Sequence, residues 1–188
     1  MPASTPQALL LVDGYNIIGA WHGLKETRDR YGLEEARREL VDALAGYSAY
    51  QNFDTHVVFD SQYQETPGRR EVLTGNICIC YTDYRQTADT YIERACALFR
   101  KDIRKFDQRL IVATSDRAQQ LTVVGYGAEC MSAEKLQAEV EFTALRVQRR
   151  QQKAQKGRSP KRFLSNTIDP AARQRLAQMR LGQISKED

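Results

Sequence analysis

A mostly parallel α/β sheet, covered by helices on both faces, is the fold this 188-residue sequence predicts, on three observations. Strand-length apolar runs alternate with amphipathic stretches of helical length, which is the pattern of repeated β–α units. The strand-like runs are apolar throughout rather than at every second residue, as strands buried on both faces are. Their ends carry aspartates, which suits strands that open onto a crevice.

The elements follow in order. Residues 8–13, ALLLVD, read as the first buried strand, closed by an aspartate. Residues 33–50 repeat at helical spacing through Leu33, Ala36, Leu40, Val41, Leu44 and Tyr47. THVVFD (55–60) is the second strand and NICICY (76–81) the third. Between them, residues 61–75 are polar, contain Pro67, Gly68 and Gly75, and read as a loop that is basic at Arg69 and Arg70. Residues 87–104 form an amphipathic helix with Ala88, Ile92, Ala95, Phe99 and Ile103 on one stripe. RLIVATSD (109–116) is the fourth strand, running into Ser115 and Asp116. A short helix and a weak strand at Ala128–Met131 come next, then a long helix capped by Ser132 with Glu134 in its first turn. Residues 148–162, QRRQQKAQKGRSPKR, read as a basic linker or arm, and residues 170–181 as a short helix. The predicted organisation is one domain over residues 1–147 and a basic helical tail over 148–188.

Composition narrows the class. Hydrophobic residues make up 41% and charged residues 28%, close to an ordinary soluble domain and unlike a disordered chain. No run approaches the roughly 18 apolar residues of a spanning helix. The start, MPASTPQ, has neither the basic nor the apolar region of a secretory signal. Cys78, Cys80, Cys96 and Cys130 include no C-x-x-C, and the only histidines are His22 and His56. The expectation is four buried cysteines in a reducing compartment, with no structural zinc site and no disulfide framework. The net charge of +4 is unevenly spread: residues 146–188 carry +9 and residues 1–145 carry −5.

The chemistry gathers at the predicted strand ends. Asp13 and Asp60 close two strands, and Ser115 and Asp116 follow a third. Asp83 lies beyond NICICY, and Asp89 and Glu93 face one side of the next helix at i,i+4 spacing. Each acid also has a plain use, as a helix cap, a dipole partner or a solvated face. Converging carboxylates repel, however, and are tolerated where a cation neutralises them. Oxygen-only ligands favour Mg²⁺ or Mn²⁺, which suits phosphodiester chemistry. In L-V-D-G-Y-N (Leu11–Asn16), Gly14 permits a tight turn. Asn16 offers a carbonyl ligand or a water-orienting amide, and Tyr15 reads as packing.

Five segments together resemble the YacP-type NYN domain family of PIN-like nucleases. They are LLVDGYNIIGAW, ending at Trp21, then VVFD (57–60), TADTYIE (87–93), VATSD (112–116) and GAECMSAEKL (127–136). The resemblance implies a three-layer α/β/α PIN-like domain and Mg²⁺- or Mn²⁺-dependent RNA hydrolysis that leaves a 5′-phosphate and a 3′-hydroxyl. It implies catalytic roles for Asp13, Asn16, Asp89 and Asp116, with Asp13, Asp89 and Asp116 as metal ligands. Asp60, Glu93 and Ser115 are the implied supporting groups. It also implies mRNA and the ribosome as partners, no membrane, and a bacterial cytoplasmic location, or the plastid stroma after loss of a transit peptide. The lack of a large exposed apolar stripe predicts a monomer.

An acidic body needs basic segments to hold phosphates. The candidates are Arg69 and Arg70, the cluster Arg100, Lys101, Arg104 and Lys105 at a helix C-terminus, and the arm. In the arm these are Arg149, Arg150, Lys153, Lys156, Arg158, Lys161 and Arg162. The helix cluster also suits the helix dipole. The alternatives are a non-catalytic RNA- or ribosome-binding module, which would be expected to lack an acid, and a DNA nuclease of related fold. A dinucleotide site is disfavoured because no G-x-G-x-x-G follows the first strand. A dehalogenase-like phosphatase is disfavoured because no second aspartate stands two positions after Asp13.

Overall fold

β1 (Ala8–Asp13) is buried at all six residues and lies inside the sheet. It pairs in parallel with β2 (Phe53–Phe59) on one side and β5 (Arg109–Ala113) on the other. β4 (Ile77–Tyr81) continues the parallel pairing beyond β2, and β6 (Glu129–Met131) beyond β5. β3 (Arg69–Thr74) adds to β4 antiparallel, giving the order β3-β4-β2-β1-β5-β6. The computed structural model describes residues 5–61 and 68–157.

Strand alternation divides the apolar residues between two faces. Leu10 and Val12, with Val57 and Phe59, enter one core. That core also holds Ile17 and Ile18 from α1 (Gly14–Ala20) and Leu24 from α2 (His22–Tyr31). Leu40, Leu44 and Tyr47 from α3 (Leu33–Gln51) and Leu136 from α6 (Ala133–Gly157) complete it. Leu9, Leu11, Val58 and Val112 enter the other core. There they meet Ile92, Cys96 and Phe99 from α4 (Ala88–Lys101) and Val123 from α5 (Arg117–Gly125). The result is the three-layer α/β/α arrangement with a mostly parallel sheet that the sequence predicts.

Three expectations need correction, and two helices go unannounced by the sequence. Residues 61–75 are not all loop, because Arg69–Thr74 form β3. All six of its residues are exposed or half-buried, so the strand has no buried face to write an apolar period into the sequence. Residues 14–31 fold as α1 and α2, which the periodicity does not announce; α2 buries only Leu24. Residues 148–157 are not a linker but continue α6. Gln, Arg, Lys and Ala are good helix formers, so low apolar content there reports exposure and not loss of helix. Cys130 is half-buried on β6, while Cys78, Cys80 and Cys96 are buried, and all four are free. Arg158, Lys161, Arg162 and the 170–181 pattern lie outside the described residues.

The chain divides into two units, Met1–Leu145 and Arg146–Asp188, at the position where the charge changes sign. Among the described residues, no helix is long and apolar enough to cross a membrane.

Gly14 is required by close approach. A Cβ there would stand 2.2 Å from Phe59 Cε1, and Phe59 is fully buried. Gly14→Ala is therefore expected to destabilise the protein by about 1–3 kcal/mol, the usual cost of overpacking. An unchanged urea midpoint would contradict this.

Candidate active site

Chain direction makes the crevice. From β1 the chain crosses to β2 through α1–α3 on one face, and from β4 it reaches β5 through α4 on the other. The connections diverge between the carboxyl ends of β1 and β5, where open α/β sheets bind ligands. Asp13 ends β1, and Thr114–Asp116 follow β5.

Asp13 also caps α1, accepting the Asn16 backbone N–H at 3.2 Å. It is 7% exposed. Burial pushes its carboxyl up from 3.8 to about 6; the Asn16 N–H opposes this, and the charges of Asp89, Asp60 and Asp116 add to it. Asp60 lies one residue past β2 and accepts the Ala88 backbone N–H. Burial first, and then the charge of Asp89, hold its carboxyl above the usual range. Its Oδ1 is buried without a hydrogen-bond partner. Asp89 stands in the first turn of α4, which Thr87 caps by accepting the Thr90 N–H at 3.2 Å. Burial and the charge of Asp116 push Asp89 up as well. Asp116 caps α5, accepting from the backbone N–H groups of Ala118 at 2.7 Å and Gln119 at 3.2 Å.

Asn16 and Ser115 tie the two strand ends together. The Ser115 N–H and hydroxyl both donate to Asn16 Oδ1, each at 2.6 Å. A backbone N–H only donates, so the atom facing it must be the amide oxygen. The carbonyl of Asn16 is thereby used inside the protein. Its NH₂ is the group left for a ligand or a water, which resolves the choice the sequence leaves open.

The other candidates divide. Glu93 stands one turn further along α4, and the group its charge acts on is Cys96. Asp83 accepts the Gly68 N–H at 2.6 Å and so holds the start of β3. Tyr15 packs on Phe59 with ring centroids 5.1 Å apart and accepts from Arg37 Nη1 at 3.3 Å, as a packing residue does. His22 lies beside Glu26, and His56 beside Asp54 and Arg70. Arg69 and Arg70 are exposed on β3, and Arg69 pairs with Glu71. At the end of α4, Lys105 Nζ donates to the Arg100 carbonyl at 3.1 Å and Arg104 pairs with Asp102, so part of that cluster serves the helix end. Arg149, Arg150 and Lys153 are exposed on α6, the helix that also includes Lys156.

The sequence reading misses Gln119. It is 3% exposed, and its Nε2 donates to Asp89 Oδ1 at 2.5 Å while its Oε1 is buried without a partner. Its signal was a polar residue four positions before Val123, on the buried stripe of α5.

Residues 10–181 match the model of the YacP-like NYN domain family. The chain belongs to this family. It is 36% identical over 151 residues to the YacP protein of Bacillus subtilis, covering 77% of this chain and 82% of that one. The crystal structure of Rae1 (YacP) from Bacillus subtilis superposes with a TM-score of 0.66 at 32% identity, over 93% of this chain and 95% of that one. A point variant of the same protein gives 0.67 at 31% identity, over 92% and 99%. The three-layer sheet is thus the PIN-like fold of the YacP-like NYN family, and membership supports a nuclease-like, RNA-related function. Within this YacP-like domain the four aspartates come from separate segments, one at the end of β1, one after each of β2 and β5, and one at the start of α4.

Proposed function

We propose that this chain is a divalent-metal-dependent endoribonuclease that hydrolyses mRNA, with the ribosome as its partner. The supporting observation is the group of four aspartates at the carboxyl end of the sheet, three of them pushed above the ordinary carboxylate range. So many acids close together, with one buried oxygen left unpaired, fit a cation. The donors are carboxylate oxygens, the chemistry of Mg²⁺ or Mn²⁺. Asp13, Asp89 and Asp116 would hold the ion, with Asp60 beside them. A bound divalent ion supplies positive charge to the phosphoryl group and makes a water more acidic.

The chain's own residues provide the rest. Burial and the neighbouring acids raise the Asp13 carboxyl in the metal-free protein, and a bound cation would relieve that cost by holding it ionised. Gln119 holds Asp89 by its amide, and Ser115 holds Asn16 with its NH₂ unspent. No histidine is among the groups that act on Asp13, Asp60 or Asp89, which favours water as the nucleophile over a histidine-driven attack by the ribose 2′-hydroxyl.

Cleavage of a translated mRNA in Mg²⁺ tests the reading. Cuts that need the wild-type chain support it, and cutting of the same naked RNA would remove the ribosome from it. Intact mRNA bound by the protein would leave only a binding module.

The basic arm is assigned to the polyanion. Deleting residues 148–188 is expected to weaken association with RNA or ribosomes and to flatten its salt dependence. For single strands, log K loses about 0.7 of slope for each phosphate contact removed. An unchanged affinity and slope would remove the arm from the interface.

A further inference from the structure

Away from the carboxylates, the sheet face covered by α4 carries a second group of reactive side chains. β2 and β4 run parallel with His56 opposite Cys78 and Val58 opposite Cys80. Strand alternation turns Cys78 and Cys80 to the same side. One donor atom from each of His56, Cys78 and Cys80 lies within 4.8 Å of the other two. The two sulfurs are 3.9 Å apart. Two thiolates on one tetrahedral zinc, with Zn–S of about 2.3 Å, stand about 3.8 Å apart. A disulfide would need about 2.0 Å. The spacing is that of a thiol–thiol hydrogen bond, and it also fits two sulfurs on one cation without movement of the strand.

A positive group already stands at the mouth of this cluster. Arg70, opposite Cys80 in the β3–β4 register, places Nη2 3.2 Å from His56 Nε2. Its charge acts on both sulfurs and on Asp54, which lies 3.4 Å from the same histidine nitrogen. Arg70 is exposed on an edge strand, so it can swing outward without disturbing the core. A cavity of about 200 Å³ lined by Gly68, Arg70, Cys80 and Tyr91 gives a route to Cys80.

We propose that His56, Cys78 and Cys80 form a site for a thiophilic cation of the zinc class, with Arg70 closing the site when no metal is bound. Two thiolates and an imidazole select zinc over Mg²⁺ or Mn²⁺, so this site is chemically separate from the four aspartates. Loading releases two thiol protons to solvent, and the two thiolates neutralise the dication. The expectation of no zinc site rests on the absence of C-x-x-C and on there being only two histidines. On a strand, C-x-C places both sulfurs on one face, and the histidine comes from the neighbouring strand.

The test is a Co²⁺ titration of the reduced, metal-free, full-length protein, followed by sulfur-to-cobalt charge-transfer absorption. The carboxylate pocket cannot produce that band. The expected result is a band that saturates at one equivalent, is bleached by Zn²⁺ and is untouched by Mg²⁺. Cys78→Ser and Cys80→Ser should lose it, His56→Gln should weaken Co²⁺ binding by at least about 10-fold, and Cys130→Ser should keep it. Arg70→Ala should tighten binding. A wild-type protein without the band, or a band that survives loss of both Cys78 and Cys80, would overturn the proposal. The wild-type arm decides even where a core variant fails to fold.

Discussion

Asp89→Asn is expected to lower RNA cleavage by about 100- to 1,000-fold while the protein stays folded. Losing a ligand forfeits several kcal/mol of charge stabilisation in the transition state, and each 1.36 kcal/mol is about tenfold in rate. The first turn of α4 does not depend on this carboxylate, because Thr87 provides the cap. Asparagine can still accept from Gln119 Nε2 through its own carbonyl. The change therefore removes charge and leaves the local structure in place. Full activity in this variant, measured on the translated mRNA, would refute the site.

Asp13→Asn should separate function from stability more sharply. In the folded protein the Asp13 carboxyl keeps its proton up to about pH 6, against an ordinary value of 3.8. Between those values the folded state binds more protons than the unfolded state. The metal-free protein should thus lose stability as pH rises from about 4 to about 6, with the full penalty above that. At neutral pH the penalty is of order 3 kcal/mol at most. Asparagine is a good helix N-cap, so the substitution keeps the α1 cap and removes the buried charge. Urea melts in EDTA should show the variant more stable than wild type at neutral pH, with the gap closing near pH 4. Mg²⁺ should narrow the gap by stabilising only the wild type. A variant less stable than wild type at neutral pH would show that Asp13 serves the fold and not a cation.

Much of this architecture is legible in the residues. The strands buried on both faces announce themselves as apolar runs, and an aspartate marks the carboxyl end of β1. β3 is hidden because an exposed edge strand needs no apolar pattern, and α2 because it commits only Leu24 to the core. Asp13, Asp60, Asp89 and Asp116 are readable because the chain direction of a parallel sheet brings its strand ends together. The part played by Asn16 is only half readable. Spacing shows a polar residue beside Asp13, but the backbone N–H of Ser115, 99 residues away in sequence, decides which end of the amide remains available. Gln119 and the His56–Cys78–Cys80 group depend on contacts between elements that no local spacing records. The charge division was visible in the sequence, and the two units part at the same position.

The most direct test of the central claim is to analyse the ends of the RNA products made by the wild-type chain in Mg²⁺ and in EDTA. The aspartate group predicts cleavage only with the divalent ion, leaving a 5′-phosphate and a 3′-hydroxyl. Cleavage that persists in EDTA, or products ending in a 2′,3′-cyclic phosphate, would contradict hydrolysis by these carboxylates.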